Sequence, residues 1–429
     1  RHSTTQTRQS HSGKEVRIIA GDGCSFKVLF GRVEWNGAQI ATNTIYSIAQ
    51  NMWVSLYAVD DCEMDVTNPS HYYIGSNSVV EEYYNLHTKI NENRNSIKEI
   101  QGETAQNILI TGSVRSGKGT FAMHLVNYAV REGYTPLVVD LNLKTNLITV
   151  PGCIGCSVVS SPITPNTLLD CNTEQPIVFC CGTTNAEEKY ALFSHYAKVM
   201  SQLCAEKQKS HVGIAKSGTI VRCPFLTTEG LKEVVDCYNI DLIYVMDNEQ
   251  LYNDIHTTQF SHPVGSFIVH KPAGVPLCTN YDAFVRRMQH RIVNNYMCGC
   301  CPEKPLCPRS NVILDDTYKL ILIKSFKHEN SGYLPIGQTQ VQNPFDVEDV
   351  EINSDMKNNV LAVLNCDSME DVLKNTTTVL GFVIFEDFIV LPGETGIEKK
   401  TIIRSPNPLE GLPSHFMCAT GMKLEQDID

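Results

Sequence analysis

The chain of 429 residues has no apolar run approaching the roughly 18 residues that a membrane-crossing helix needs, so no membrane partner is expected. It also lacks a basic surplus: 35 Lys and Arg stand against 47 Asp and Glu, a formal charge of −12. A free nucleic-acid binder ordinarily shows the opposite sign, so RNA contact is expected only through a local patch or indirectly through partners. No secretory signal pattern frames the 17 cysteines, which are scattered and odd in number. They are expected as free buried thiols in a reducing compartment, not as a disulfide framework. There is no internal repeat and no long low-complexity segment. The 13 histidines form no H-E-x-x-H signature and no triad spacing. What remains is an ordinary apolar fraction of 42% and a slightly low charged fraction of 19%, a composition that supports sizeable cores in about two to four domains.

Residues 1–13 are Ser, Thr, Gln, His and Arg with almost nothing apolar, and are expected as a disordered tail. Residues 14–100 carry short apolar stretches broken by Gly and Asn (25–30, 45–48, 52–58), the pattern of a small antiparallel β domain. Its end, 79–100, turns helical in period through Val80, Tyr83, Tyr84, Leu86, His87 and Ile90. From 101 to 308 the texture is α/β. Buried-strand runs at 107–111, 136–141, 177–181, 218–222, 242–246 and 265–270 alternate with helical stretches, which implies a mostly parallel, doubly wound sheet. Residues 309–429 return to β, with strands expected at 318–323, 360–364, 379–384 and 388–391. The expected class is α/β: a central α/β domain flanked by a small N-terminal β domain and a C-terminal β-rich domain.

Thr111-Gly112-Ser113-Val114-Arg115-Ser116-Gly117-Lys118-Gly119-Thr120 carries G-x-x-x-x-G-K, the Walker A core, between a strand and a helix. Glycines let backbone N–H groups curl around phosphate oxygens, and the helix N-terminus adds partial positive charge. Lys118 is expected to reach the β- and γ-phosphates. Residues Gly112, Ser113, Val114, Arg115, Ser116, Gly117, Lys118, Gly119 and Thr120 are therefore the expected ATP site of a P-loop NTPase domain. One position departs from the pattern: the Ser or Thr that normally follows the lysine and ligates Mg²⁺ is Gly119. Thr120, one residue later, is the remaining candidate Mg²⁺ ligand.

Several further stretches, by their order and spacing, give the chain a likeness to a known family. They are Val126-Asn127-Tyr128-Ala129-Val130-Arg131 after the loop, residues 147–152 ending in Val-Pro-Gly, Gly182-Thr183-Thr184, Val245-Met246-Asp247-Asn248-Glu249-Gln250-Leu251-Tyr252-Asn253, and the closing 402–422. Together they resemble the Clp/Grc polynucleotide 5′-hydroxyl kinases, and most nearly the Clp-type subunits of the pre-mRNA cleavage and polyadenylation machinery. The resemblance implies three domains, nuclear residence, cleavage and polyadenylation factor subunits as partners, and transfer of the ATP γ-phosphoryl group to an RNA 5′-hydroxyl.

It also implies where catalytic groups should stand, and this chain departs there. The Asp of the family's Asp-x-x-Gln falls on Asn142 and its Gln on Thr145. Asp140, two residues earlier, would share a strand face with Asn142 and is the candidate substitute carboxylate. The Thr-x-Gly-Trp clasp falls on Cys223-Pro224-Phe225-Leu226, without its tryptophan. Phe225 and Phe179 are base-stacking candidates, with core packing the more ordinary role. The lid arginine falls on Asn294, with Arg286, Arg287 and Arg291 upstream.

Cys298, Cys300, Cys301 and Cys307 could supply four thiolates to zinc, though not in paired C-x₂-C spacing, and free thiols are the default. Cys153-x-x-Cys156 has redox spacing but does not open a helix after a strand. Two functions from different classes follow. One is an ATP-bound, catalytically degenerate scaffold of mRNA 3′-end processing. The other is an active polynucleotide 5′-hydroxyl kinase of mRNA processing or tRNA splicing, using substituted residues. A broader reading is an unrelated P-loop ATPase or small-molecule kinase.

Overall fold

Seven strands near the N-terminus pair into one sheet: β1 (Thr5–Ser10), β2 (Glu15–Phe30), β3 (Val33–Trp35), β4 (Ala38–Gln39), β5 (Ile45–Ser47), β6 (Trp53–Ala58) and β7 (Cys62–Gly75). They lie in the order β1-β7-β2-β6-β3-β4, with β5 on β2. The structure, a computed structural model, describes residues 4–169, 175–224, 226–272, 274, 281–300, 306–324, 343–393 and 396–425. The chain divides into two compact units. The first is Arg1–Val138, Val158–Thr173 and Glu206–Thr279; the second is Val139–Ser157, Glu174–Ala205 and Asn280–Asp429.

In β2, Val16, Ile18, Ala20, Phe26 and Val28 are buried, the two-residue alternation of a strand facing a core. The stretch expected as a disordered tail instead holds β1, paired antiparallel with β7 from Thr5↔Thr67 to Ser10↔Cys62. Its side chains meet polar partners: Thr5 Oγ1 lies 2.9 Å from Thr67 Oγ1, and Thr7 Oγ1 donates to Asp65 at 2.8 Å. Ladder bonds and polar cross-strand pairs hold this edge strand, so it needs little apolar burial. Between β3 and β4, Asn36 and Gly37 take φ of +49° and +83°, as a two-residue type I′ hairpin requires. α1 (Val80–Ser96) follows, burying Val80, Tyr83, His87, Ile90 and Arg94 along one stripe.

The α/β elements are β8 (Ile108–Gly112), α2 (Lys118–Arg131), β9 (Leu137–Asp140), β10 (Cys153–Val158), β11 (Ile177–Cys180), α3 (Tyr190–Ser210), α4 (Val212–Ser217), β12 (Thr219–Arg222), α5 (Thr228–Cys237), β13 (Leu242–Met246), α6 (Glu249–Thr257), β14 (Gly265–Val269) and α7 (Tyr281–Cys298). In the first unit β12, β8, β13 and β14 lie side by side in that order with parallel ladders. Ligands of such sheets sit beyond the carboxyl ends of the strands. α2 forms because Phe121, Ala122, Leu125, Val126 and Ala129 make an apolar face, all buried. It stops at Gly133, φ +85°. Phe121 packs 4.7 Å from the Tyr83 ring and 5.6 Å from that of Tyr244, tying α2 to α1 and β13. Burying each such ring contributes on the order of 1.5–3 kcal/mol. In the second unit β10 and β11 pair antiparallel, Cys153↔Cys180 through Cys156↔Ile177.

The second unit ends in β15 (Arg309–Leu314), β16 (Lys319–Ile323), β17 (Val347–Asp349), β18 (Asn359–Leu364), β19 (Val379–Gly393), β20 (Gly396–Ser405) and β21 (Phe416–Lys423), in the order β15-β20-β19-β18-β21-β16-β17. Leu361, Val363, Val383, Phe385, Ile403 and Met417 are at the centre of its core. The two strands expected at 379–384 and 388–391 are one strand, β19, bent by a register shift between Phe385 and Asp387. The intervening polar residues are the bulge, not a turn.

Candidate functional site

The carboxyl end of β8 and the N-terminus of α2 bound a loop in the first unit. Gly112, φ +144°, runs so close to β13 that a β-carbon there would lie 2.7 Å from the Met246 carbonyl oxygen. Gly117, φ +82°, caps α2, and a β-carbon there would lie 2.4 Å from Cδ of Pro272. Arg115 takes φ +64°, a left-handed conformation uncommon for non-glycine residues. Asn248 holds the loop from below, its Nδ2 donating to Ser113 Oγ at 2.6 Å while its Oδ1 caps α6 by accepting from the Leu251 amide at 2.9 Å. The first turn of α2 contains no acidic residue, so nothing within it offsets the positive end of the helix dipole.

Lys118 is buried, and its ammonium donates to the carbonyls of Gly112 at 2.9 Å and Ser113 at 2.6 Å. Burial first, and the charge of Arg222 second, lower its pKa to about 8. A phosphate oxyanion in the loop would relieve both effects. Residues 112–120, the expected phosphate site, run from the end of β8 into the first turn of α2, with Ser116 buried and Val114 exposed.

The side-chain hydroxyl that P-loop NTPases ordinarily offer Mg²⁺ directly after the lysine is missing here. This ion takes octahedral oxygen ligands, and P-loop NTPases hold it with the Ser or Thr after the lysine and an Asp of the Walker B strand. Gly119 offers no side-chain oxygen, and of the two strands that flank β8, β12 ends in Arg222 while β13 is followed by Asp247, whose carboxylate lies 3.5 Å from the Lys271 ammonium. Thr120, the expected metal ligand, lies about 100° further around α2. Its carbonyl is 2.8 Å from Nδ1 of His124.

The far end of α2 is gripped by the N-terminal sheet. Asn127, wholly buried, donates through Nδ2 to the Asn36 carbonyl at 2.8 Å and the Ile163 carbonyl at 2.7 Å. Its Oδ1 accepts from the Ile163 amide at 2.7 Å. Arg131 pairs with Glu34 and donates to the Gly37 carbonyl at 3.1 Å. The Asn36-Gly37 tip sits so tightly on α2 that a β-carbon on Gly37 would be 3.1 Å from Cα of His124. His124, enclosed there, has its pKa pushed down to about 4 by burial and is neutral. After β14 the chain passes over the loop: Tyr83 Oη donates to the His270 carbonyl at 2.8 Å, and Lys271 lies 3.5 Å from Asp247. Arg17, paired with Glu15 at 2.9 Å, abuts Gly274, where a β-carbon would lie 2.7 Å from its Cδ.

Of these residues, Asn127 and Asn248 fall within stretches that carry the family likeness. Arg222, Arg17 and Glu34 have no local signal, because their partners are distant in sequence.

Asp140, Asn142 and Asn294 belong to the second unit. β9 ends at Asp140, so strand alternation does not reach Asn142 and the expected shared face is not formed. Asp140 is wholly buried, with Oδ1 accepting from the Asn142 amide at 2.9 Å and Oδ2 from the Leu147 amide at 2.8 Å. Asn142 Oδ1 in turn accepts from the amides of Lys144 and Thr145, both at 3.0 Å. These are turn-forming contacts. Asn294 is exposed on α7, the helix whose Gln289 donates to the Lys144 carbonyl at 3.1 Å. Upstream on α7, Arg286 lies 3.8 Å from Glu425, while burial lowers the Arg291 pKa to about 10.

Phe179 is a core residue stacked 4.5 Å from Tyr196, and Phe225 lies outside the described residues. Cys153 and Cys156 are free and buried on a strand, three positions apart and so on opposite faces. Of the zinc candidates, Cys301 lies outside the described residues, while Cys298 and Cys307 are exposed. Among the described residues no group of three or more His, Cys, Asp or Glu is arranged to hold a metal.

Comparison with known proteins covers most of the chain. Residues 112–299 match the P-loop of the mRNA cleavage and polyadenylation factor CLP1. Residues 11–97 match the N-terminal beta-sandwich domain of polyadenylation factor, and 306–419 the pre-mRNA cleavage complex II protein Clp1. The mRNA cleavage and polyadenylation factor clp1 of Botryotinia fuckeliana is 23% identical over 412 residues, 89% of this chain and 86% of its own. The polyribonucleotide 5′-hydroxyl-kinase Clp1 of Gallus gallus is 23% identical over 409 residues, 93% of this chain and 91% of its own. Among solved structures, Clp1p from a wild-type Clp1p–Pcf11p complex has the same fold, with a TM-score of 0.80, 20% identity and 99% of both chains covered. A second, from work on an extended Pcf11p–Clp1p interface and on ATP loss in a point mutant, has a TM-score of 0.79, 19% identity and coverage of 98% and 99%. On these matches along its length, the chain belongs to the Clp1 family of mRNA cleavage and polyadenylation factors.

Proposed function

We propose that this chain is an ATP-binding, catalytically inactive member of its family that acts in the nucleus as a scaffold subunit of mRNA 3′-end cleavage and polyadenylation. The observation that carries this reading is the contrast between the two units. The phosphate-loop motif and its lysine are retained, with the Lys118 ammonium held on the carbonyls of Gly112 and Ser113. The carboxylate expected for catalysis is replaced by Asn142, and both oxygens of nearby Asp140 accept amide bonds of their own turn. Loss of a single transition-state charge contact typically costs about 10²–10³ in rate, and Asn294 at the lid position is a second such loss. A nucleotide that stays bound stabilises the fold by mass action. The contacts between the hairpin tip and α2 then couple its occupancy to the N-terminal sheet. By analogy with the solved Clp1p–Pcf11p complex, the partner is a Pcf11-like cleavage-factor subunit.

The test identifies the nucleotide carried through purification, released by denaturation and separated by chromatography, alongside phosphorylation of 5′-hydroxyl RNA with Lys118→Ala as control. Near-stoichiometric intact ATP with no RNA phosphorylation is expected. Phosphorylation that disappears in Lys118→Ala would establish instead the active kinase that several relatives are named for.

A further inference from the structure

Cys153 has a partner in the second unit that lies far from it in sequence. The antiparallel ladder of β10 and β11 sets it directly opposite Cys180. One position outside this pair, the Cys181 amide donates to the Gly152 carbonyl at 2.9 Å. That bond makes Cys153 and Cys180 a non-hydrogen-bonded pair, the kind whose side chains lie closest. Such pairs hold their α-carbons roughly 4.5 Å apart, within the roughly 4.4–6.8 Å that a disulfide bridges. A third thiol approaches from β21: Cys180 and Cys418 place their sulfurs 3.9 Å and 3.6 Å from one oxygen, the Ala419 carbonyl. All three cysteines are free and buried. Two residues past Cys180, the Gly182 carbonyl accepts from Lys189 Nζ at 2.9 Å, as the Ile323 carbonyl does at 2.8 Å, so an ammonium stands beside the cluster. Cys156, by contrast, is opposite Ile177 and faces the other side of the sheet.

We infer that Cys153 and Cys180 form a reversible oxidation site, closed to a disulfide by hydrogen peroxide and reopened by a thiol reductant. The inference goes beyond the nucleotide-binding reading and does not depend on it. The Cys180 thiolate attacks one peroxide oxygen, releases hydroxide and becomes a sulfenic acid. The Cys153 sulfur then displaces the new hydroxyl, and its proton leaves with that oxygen as water. Two thiols and one peroxide give one disulfide and two waters. Cys180 is the nucleophile: hydrogen bonds from the Cys153 and Cys418 thiols, with help from the Gly182 backbone and the Lys189 charge, hold its pKa well below the usual thiol range. Burial first, and the bond to Cys180 second, raise that of Cys153. β11 is four residues long and stands at the edge of its sheet, so local opening admits peroxide without unfolding of the unit.

The experiment treats the full chain with hydrogen peroxide, alkylates the remaining thiols in denaturant, and maps peptides by mass spectrometry without reduction. A linked Cys153–Cys180 peptide is expected, lost on treatment with dithiothreitol, while Cys156 stays reduced. The urea-unfolded chain should give at least about fivefold less of it, because the fold sets the two thiols opposite each other. In Cys180→Ser, oxidation of Cys153 should slow at least about tenfold, since the nucleophile is gone. Oxidation confined to the exposed Cys298 and Cys307, linkage of Cys180 to Cys418 in place of Cys153, or equal linkage in folded and unfolded chain would overturn the inference. Far-ultraviolet circular dichroism checks that Cys180→Ser folds. Should it not, the wild-type map decides alone.

Discussion

Replacing Asn127 with alanine removes three hydrogen bonds of 2.7–2.8 Å from a site with no solvent exposure. Each neutral bond is worth about 1 kcal/mol net, but the larger loss comes from the groups left behind. The Asn36 carbonyl loses this partner, and both the carbonyl and the amide of Ile163 lose theirs. Unsatisfied buried groups cost about 1–3 kcal/mol each, so a total of about 3–5 kcal/mol follows. At about 2–4 °C per kcal/mol for a unit of this size, the melting transition of the first unit should fall on the order of 10 °C. Differential scanning calorimetry reads this. Asn127→Asp keeps the volume and the acceptor for the Ile163 amide but turns a carboxylate oxygen toward two carbonyls, and should be at least as unstable. If both variants stay within about 1 kcal/mol of wild type, the hairpin tip and α2 are not held in the way described.

The lowered pKa of Lys118 gives nucleotide affinity a pH dependence. Bound phosphate keeps the ammonium protonated, so affinity should be flat below about pH 8, where the free protein already carries the proton. Above that pH it should fall by up to about tenfold per unit, with proton uptake visible by calorimetry in buffers of different ionisation enthalpy. For stability the sign is opposite: the pKa is depressed on folding, so the buried ammonium destabilises the free protein below about pH 8. That penalty is relieved as pH rises from there toward the ordinary lysine value. Affinity that stays flat a full unit above the lowered pKa would refute the assignment. Asp140→Asn should destabilise the second unit by about 2–3 kcal/mol in chemical denaturation, because an amide nitrogen would then face a backbone N–H. No change in stability would mean that the carboxylate does not organise its turn.

The phosphate loop was legible because its chemistry is local. Gly112, Gly117 and Lys118 announce themselves by spacing, and the apolar period of α2 gives Lys118–Arg131 directly. The buried strands of the α/β region were legible for the same reason: Leu242–Met246 is a continuous apolar run. β1 was not, because a polar edge strand is held by ladder bonds that leave no hydrophobic trace. The bend in β19 hid one strand as two. The closeness of Arg222 to Gly119 escaped notice because the two are more than one hundred residues apart and become adjacent only after β12 pairs with β8. The face-sharing of Asp140 and Asn142 failed on a boundary: strand periodicity was extended two residues past the strand's end.

The Asn36-Gly37 hairpin tip has a consequence for where this chain can be cut. Read by texture, residue 100 is a natural border, and the phosphate-loop region beyond it has the look of a separable module. A fragment beginning there would lose Asn36, Gly37, Glu34 and Tyr83 together. Asn127, Arg131 and Phe121 would be stripped of partners that no residue after 100 replaces at those contacts. The helix that presents its N-terminus to phosphate is completed by chain that precedes it by some ninety residues. Shuffling or fusion of this loop would therefore have to carry the N-terminal sheet along with it.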